Sequence, residues 1–272
     1  MGTSASSKGP HGGVSFDPPW LTVAETSIGV SSPEATGVPP IVSSAIAPAR
    51  RFTAARREFR DYVSGRGGRS ALRKAMRGYV RHGLGGAARA TKRIRFTTAV
   101  GARTFSLLRG LDAVDEVEFR KVLLDVLSLS DHTTGDVVSA IVEFVIKDKG
   151  GADEESARMA MAEALSVLFT EKPEIDVLEM SEDDTWLLME MYLEKEIVRR
   201  MNFDIGQSIE SDAYDAKKKI ERLEELESFV RSEVAIRLQQ ARAGKLVLSQ
   251  GNVYSIMADA TSMTLKFFGG EV

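Results

Sequence analysis

Ser211-Asp-Ala-Tyr-Asp215-Ala-Lys-Lys-Lys-Ile220-Glu-Arg-Leu-Glu-Glu225-Leu-Glu-Ser-Phe-Val230-Arg-Ser-Glu-Val-Ala235-Ile-Arg-Leu-Gln-Gln240-Ala-Arg-Ala-Gly244 contains no proline and no glycine before its last residue. Its apolar residues Ala216, Ile220, Leu223, Leu226, Val230, Val234 and Leu238 recur every three or four positions, the period of one helix face. Ser211 is the expected cap and Gly244 the stop, so the spacing predicts a single helix roughly 50 Å long. Its apolar line is narrow, which suits an antiparallel hairpin or a coiled-coil seam. The partner in that hairpin is the next apolar period, Val253, Ile256, Met257, Ala260, Thr264 and Phe267, which ends at Gly269-Gly270.

Upstream, the same period recurs throughout. Phe52, Ala55, Phe59 and Tyr62/Val63 mark a first helix that Gly65-Arg-Gly-Gly68 stops. Ser70 is expected to cap a second, with Leu72, Ala75, Met76 and Tyr79 inward and Arg73, Lys74, Arg77 and Arg81 outward. After the break Gly83-Leu-Gly-Gly86, a third is expected from Ala87 to about Arg109. Its small residues permit close packing, although Gly101 costs about 1 kcal/mol of helix propensity. Phe119 to Leu127, Val137 to Val145 and Ala157 to Leu168 follow. The valine-rich run would also suit a strand, but its spacing is helical. Asp153-Glu154-Glu155 and Glu182-Asp183-Asp184 stand where helix N-termini favour acids, with Ser181 and Asp184 resembling a capping box before the helix bearing Trp186 to Met201. No strand alternation and no fixed repeat occur. The expected class is all-α: a multi-helix bundle with a long C-terminal helical hairpin and a disordered N-terminal tail.

Three segments differ in charge. Residues 1–48 hold Lys8 against Asp17, Glu25 and Glu34. Residues 49–110 hold fifteen Arg and two Lys against Glu58 and Asp61, a balance of +15. Residues 111–272 carry 18 basic and 34 acidic side chains, so a basic helical segment sits between a flexible tail and an acidic helical body. That basic segment needs its own acidic body, an acidic partner or nucleic-acid phosphates. Arg56, Arg57, Arg60, Arg73, Arg77, Arg81, Arg89 and Arg93 are the candidate contacts. The preference for Arg over Lys suits bidentate phosphate or carboxylate contacts, whereas no nucleic-acid-binding motif is present.

The tail is Gly-, Ser- and Pro-rich and cannot bury enough surface to order itself. It then reaches Phe16-Asp-Pro-Pro-Trp20-Leu21, where prolines stiffen the chain between two aromatics. A flexible leader followed by a stiff aromatic anchor suits a segment offered to a partner; an unstructured N-terminus is the competing account. Gly2 implies removal of Met1, leaving an unhindered α-amine with a pKa of roughly 7.7–8. Residues 1–6 also fit the short N-myristoylation pattern, but one acyl chain binds membranes only marginally.

Catalytic signals are sparse. There is no cysteine, and His11, His82 and His132 have no ligand-spaced partners. No phosphate-cradling loop and no nucleophile elbow is present, and no apolar run is long enough for a membrane span. The expectation is a cytoplasmic, non-enzymatic protein without metal or cofactor.

Met1-Gly-Thr-Ser4, Gly9-Pro-His-Gly-Gly-Val14, Pro18-Pro-Trp-Leu21, Gly83-Leu-Gly-Gly-Ala-Ala-Arg-Ala90 and Gly150-Gly-Ala-Asp-Glu-Glu-Ser-Ala-Arg-Met-Ala160 together resemble the B component of bacterial Qat anti-phage defence systems. The resemblance implies a four-gene operon whose other members are an ATPase, a 7-cyano-7-deazaguanine synthase-like protein and a TatD-like nuclease. It supplies no catalytic residues. On this basis the tail is expected to dock in the synthase-like partner through Thr3, Ser4, Phe16, Pro18, Pro19, Trp20 and Leu21, with Gly2 a candidate for modification. The alternative is a nucleic-acid-binding adaptor that uses the Arg-rich segment to recruit the nuclease.

Overall fold

Helix α8, Glu182–Ile205, is apolar on most of its circumference: thirteen of its 24 residues are buried, among them Trp186, Met189, Tyr192, Ile197 and Met201. A helix with that pattern must be surrounded, and α4 (Arg95–Leu108), α7 (Ala152–Glu171) and α9 (Ala216–Arg242) pack along it. The computed structural model describes residues 47–111, 115–146, 151–206, 215–243, 245 and 247–271, so every expectation for the tail lies outside the described residues. The remaining helices are α1 (Thr53–Val63), α2 (Arg69–Gly78), α3 (Ala87–Arg93), α5 (Glu116–Leu127), α6 (Thr134–Val145) and α10 (Gln250–Gly269). A π-helical turn, Tyr79–Gly83, extends α2. The described residues contain no strand, and the protein is all-α.

The expected hairpin is present. α9 and α10 pack along each other, with Leu226, Val230, Val234 and Leu238 of α9 buried and Val253, Ile256, Met257 and Ala260 of α10 facing the core. Gly101 now has a reason. A Cβ there would come within 2.6 Å of Met257 Cε, the movable end of a flexible side chain, and within 3.1 Å of Tyr192 Cε1, so any larger residue would require Met257 to turn aside and the buried Tyr192 ring to shift by a few tenths of an ångström. The valines of α6 form a helix that Thr133 and Asp136 cap reciprocally. At the other end of the sequence, Glu271 Oε1 accepts from Ala87 N at 3.0 Å and so caps α3 from afar, just after Gly86 turns the chain with φ +99°. Gly270, the left-handed C-cap of α10, lies under the Arg77 guanidinium.

Four expectations need correction. α9 is capped by Asp215, whose side chain accepts from Lys217 N; Ser211 lies outside the described residues, and 27 residues give about 40 Å rather than 50. Its first turns run past the neighbouring helices, leaving Ala216 and Ile220 exposed although they continue the apolar line. The second helix begins at Arg69, with Gly68 in the extended conformation as N-cap; Ser70 is exposed inside the first turn. The third helix is broken at Ile94. There Thr91 Oγ1 bonds back to Ala87 O at 2.9 Å, and Ile94 N is shared between the carbonyls of Ala90 and Thr91, which bends the chain while Ile94 enters the core.

A charged group sits at the centre. Glu196 of α8 is fully buried. Its Oε1 accepts from Thr97 Oγ1 of α4 (2.9 Å) and Arg200 Nε (2.5 Å), and its Oε2 from Ser156 Oγ of α7 (2.8 Å). Arg200 Nη1 continues to Asp153 at 2.7 Å. Those acids hold the Arg200 guanidinium above its ordinary range, even though burial alone would lower it. Three helices are thus joined by one carboxylate.

Removing one partner of such a group leaves the other buried and uncompensated. Glu196→Ala is therefore expected to destabilise the protein by about 3–5 kcal/mol, read as a fall in the urea midpoint at unchanged slope.

Candidate partner-binding surface

The fifteen arginines divide into two populations. The first turns inward as a cap on helix ends. Arg56 donates through Nε and Nη2 to Asp204 O (3.1 and 2.8 Å), a carbonyl in the last turn of α8. Arg103 reaches Val145 O at the end of α6 (3.2 Å) and the Asp115 carboxylate (2.6 Å). Arg109 instead donates to Met180 O, in the loop just before α8. Cations at helix C-termini offset both the unpaired carbonyls and the dipole. Around Asp204 the inward group is denser. Tyr79 OH donates to Asp204 Oδ2 at 2.9 Å; burial raises the carboxyl's pKa, while Tyr79 and the charges of Arg93, Arg51 and Arg200 pull it back. Arg89 and Arg93 are half-buried. Much of the basic segment is therefore matched by the chain's own acidic helices.

The second population faces solvent. Arg57 is paired with its neighbour Glu58 at 3.0 Å, and Arg60 is exposed on α1. Arg69 at the start of α2 reaches Glu225 of α9 (3.2 Å), which also takes Arg222 (2.5 Å) and the Tyr62 hydroxyl (3.2 Å). Beyond it, Arg73, Lys74, Arg77 and Arg81 are exposed along α2 and the π-helical turn. Of the eight arginines the sequence singles out, these positions bring three together on one helix, set Arg57 and Arg60 on another, and turn Arg56, Arg89 and Arg93 partly or wholly inward. Gly2, Thr3, Ser4, Phe16, Pro18, Pro19, Trp20 and Leu21 lie outside the described residues.

The acids of α8 escaped the sequence reading. Glu194 is 3% exposed, and burial pushes its carboxyl up to about 7, against the attraction of Lys195 Nζ at 3.7 Å. Lys195 also reaches Glu227 (2.9 Å) and Glu163 (3.1 Å), and Arg199 meets Glu163 (2.8 Å). The signal was available, because Glu194 falls on the arc of Met191, Ile197, Val198 and Met201 that the apolar spacing assigns to the core. Beside it a shallow pocket of about 310 Å³ is lined by Glu163, Lys195, Val198, Arg199, Asn202, Phe203 and Glu227. A second, of about 450 Å³, lies between Ser64-Gly65 and the Lys218–Glu225 face of α9. The first is lined by mutually paired charges, and in the second Arg222 and Glu225 are paired. Among the described residues no group of His, Asp or Glu is placed to hold a metal ion, and no helix is long and apolar enough to cross a membrane.

A family model described as Qat anti-phage system associated protein QatB matches residues 85–268, more than half of the chain. No curated protein and no solved structure matches it. The matched stretch begins in the turn before α3 and ends within α10.

The Glu194 carboxyl sets a pH dependence. Its pKa is raised from 4.5 to about 7, so between those values the folded chain holds a proton that the unfolded chain has released. The stabilising contribution is complete below about pH 4.5 and is lost as pH rises through 7. Glu194→Gln is expected to flatten that dependence and to raise stability above pH 7 relative to the unmodified chain, measured by urea unfolding across the interval.

Proposed function

The chain belongs to the QatB family of Qat anti-phage system associated proteins, and from that membership we propose that it is the non-enzymatic member of a defence assembly whose N-terminal tail docks in a 7-cyano-7-deazaguanine synthase-like partner. Membership itself makes it a component of a Qat anti-phage system, acting with partner proteins. The observation that carries the finer reading is the composition of residues 1–21. A leader that cannot fold alone is joined to Phe16-Asp-Pro-Pro-Trp20-Leu21, whose large side chains no intrachain apolar period claims. Residues 2–15 extended span about 40 Å, enough to enter a deep active site while the aromatic segment holds its rim. Thr3 and Ser4 then line the entering end, with Pro18, Pro19 and Leu21 beside the aromatics.

The non-enzymatic part of the reading is supported by how the fold uses its acids. Glu196 and Asp204 are taken up by Thr97, Ser156, Arg200 and Tyr79, donors that join helices. Residence in the cytoplasm, and contacts with the operon's ATPase and TatD-like nuclease, belong to the same proposal.

Gly2 is where docking becomes chemistry. A partner that activates a deazaguanine carboxylate for attack by ammonia can present it to another unhindered amine. The Gly2 nitrogen would attack the activated acyl carbon, a C–N bond would form, the activating group would depart, and the amine would lose a proton. With no side chain beside the nitrogen, and a pKa of roughly 7.7–8, part of the amine is neutral at physiological pH.

Trp20→Ala is expected to weaken binding to the synthase-like partner by about 2 kcal/mol, while Ser6→Ala stays near neutral, because buried aromatics dominate such interfaces. Isothermal titration decides it, and equal effects from both changes remove the anchor. Mass spectrometry of the N-terminal peptide from cells carrying the whole operon should show an amide-linked deazaguanine on Gly2. An unmodified Gly2 in cells that still resist phage, or full resistance with Gly2→Pro, excludes the modification.

A further inference from the structure

From Tyr62 to Leu111 the sequence contains no acidic residue, and this span includes α2, the π-helical turn, α3 and α4. The inward arginines of that span find acids and carbonyls on other helices. The outward face of α2 does not. At 100° per residue, Arg73, Lys74, Arg77 and Arg81 project within an arc of about 100° opposite Leu72, Ala75 and Met76, and all four are exposed. Arg73, Lys74 and Arg81 make no ion pair or side-chain hydrogen bond with the described residues, and Arg77 only overlies the backbone of Gly270.

This arrangement works against the helix that carries it. Like charges four apart destabilise a helix by roughly 0.2–0.5 kcal/mol per pair, and Arg73, Arg77 and Arg81 form two such pairs. Arg69 also stands in the first turn, where the dipole disfavours a cation, but it is paired with Glu225 of α9 at 3.2 Å, a partner that Arg73, Lys74 and Arg81 do not have. Apart from Arg77, whose guanidinium lies at the C-cap of α10, the cations of this face have no return inside the fold, and such a surface points to a ligand outside it. The absent return is charge neutralisation, so the ligand is a polyanion.

We propose that the face formed by Arg73, Lys74, Arg77 and Arg81 binds the phosphate backbone of duplex nucleic acid. An acidic protein is the less suitable occupant, because protein interfaces draw their affinity from buried apolar anchors and exposed ion pairs add little. This face has none: Leu72, Ala75 and Met76 are buried, and the large exposed apolar side chains among the described residues, such as Val117, Leu124, Met159, Phe203 and Ile236, all stand on other elements. Single strands are held largely by stacking on aromatic rings, and Phe52, Phe59, Tyr62 and Tyr79 of this region are all buried. What remains is Coulomb attraction and bidentate phosphate contact. Arg73 to Arg81 spans about 12 Å, three to four phosphates of one strand at 3.4 Å per step.

The inference does not depend on the tail or on any partner protein, so it and the docking of the tail can fail separately. The test is fluorescence anisotropy of the full chain with an arbitrary 20-base-pair DNA duplex between about 50 and 200 mM salt. Four phosphate contacts predict a loss of affinity of about 150-fold across that range. The triple variant R73Q/R77Q/R81Q, which leaves Lys74, should lose only about 3- to 4-fold and bind more weakly at low salt. R57Q, which removes an exposed arginine of α1 paired with Glu58, should behave as the unmodified chain. An unchanged helical melt shows that the variants are folded. Salt-insensitive or undetectable duplex binding overturns the proposal, as does an R57Q effect equal to that of the triple variant. Competition by poly-glutamate as strong as by duplex assigns the face to an acidic protein and overturns it too.

Discussion

Burying a carboxyl group is among the more expensive things a fold can do, and Glu196 does it at the place where α4, α7 and α8 meet. The arrangement is tolerable because Thr97, Ser156 and Arg200 each supply a donor, and because Asp153 takes the far side of Arg200. Its effect on the bundle is geometric. Apolar faces can slide by a turn with little change in buried area, but a carboxylate that needs donors from three helices admits one register. Gly101 is the steric counterpart, since a Cβ there would press on Met257 and on the buried Tyr192 ring where α4 meets α10 and α8.

The charge asymmetry along the sequence is resolved in the same three-dimensional terms. The basic segment and the acidic body are not two separate surfaces. Arg56 and Arg103 end on the carbonyls of Asp204 and Val145, in the last turns of α8 and α6, and Arg109 on the carbonyl of Met180, in the loop that leads into α8, so the N-terminal helices are fastened to the acidic ones through backbone carbonyls. Hydrophobic contact continues across the seam, from Phe52 to Phe268, as one cluster. Only the charge left over after this internal pairing can serve anything outside the chain, and in the basic segment Arg73, Lys74, Arg77 and Arg81 hold a large part of it.

Most helices were legible because burial imposes a period that apolar residues cannot hide, as in α6, where spacing outweighed a β-branched composition. What the sequence did not reveal are the places where two local signals compete. Ser70 is a better capping residue than Gly68, yet the glycine turn, with Gly67 N bonded to Asp61 O, brings the backbone round two residues earlier. Ile94 continues the apolar period of its neighbours, so nothing in the pattern announces a break; it shows only in the backbone, where Ile94 N is shared between the carbonyls of Ala90 and Thr91. Ile220 stands about 80° round the helix from Val230 and about 120° from Leu226, at the edge of the buried face, and periodicity cannot say where the neighbouring helices stop. Of the proposed surface, the identity of the outward α2 arginines was readable, whereas the inward turn of Arg56 and Arg93 required knowing where α8 ends. Glu194 and Glu196 were visible only as acids on an apolar arc, a pattern that reads as a surface helix until the neighbours are placed.

The reach of Glu271 to Ala87 N, with Arg77 lying over Gly270, ties the far end of α10 to the layer formed by α2 and α3. In mechanical terms this is a latch. Tension applied at residue 271 would be carried across the bundle into the Gly83–Ala87 turn instead of peeling α10 from α9 as a free strip. The last helix and the basic layer therefore form one load-bearing unit, although 184 positions separate Ala87 from the glutamate that closes it.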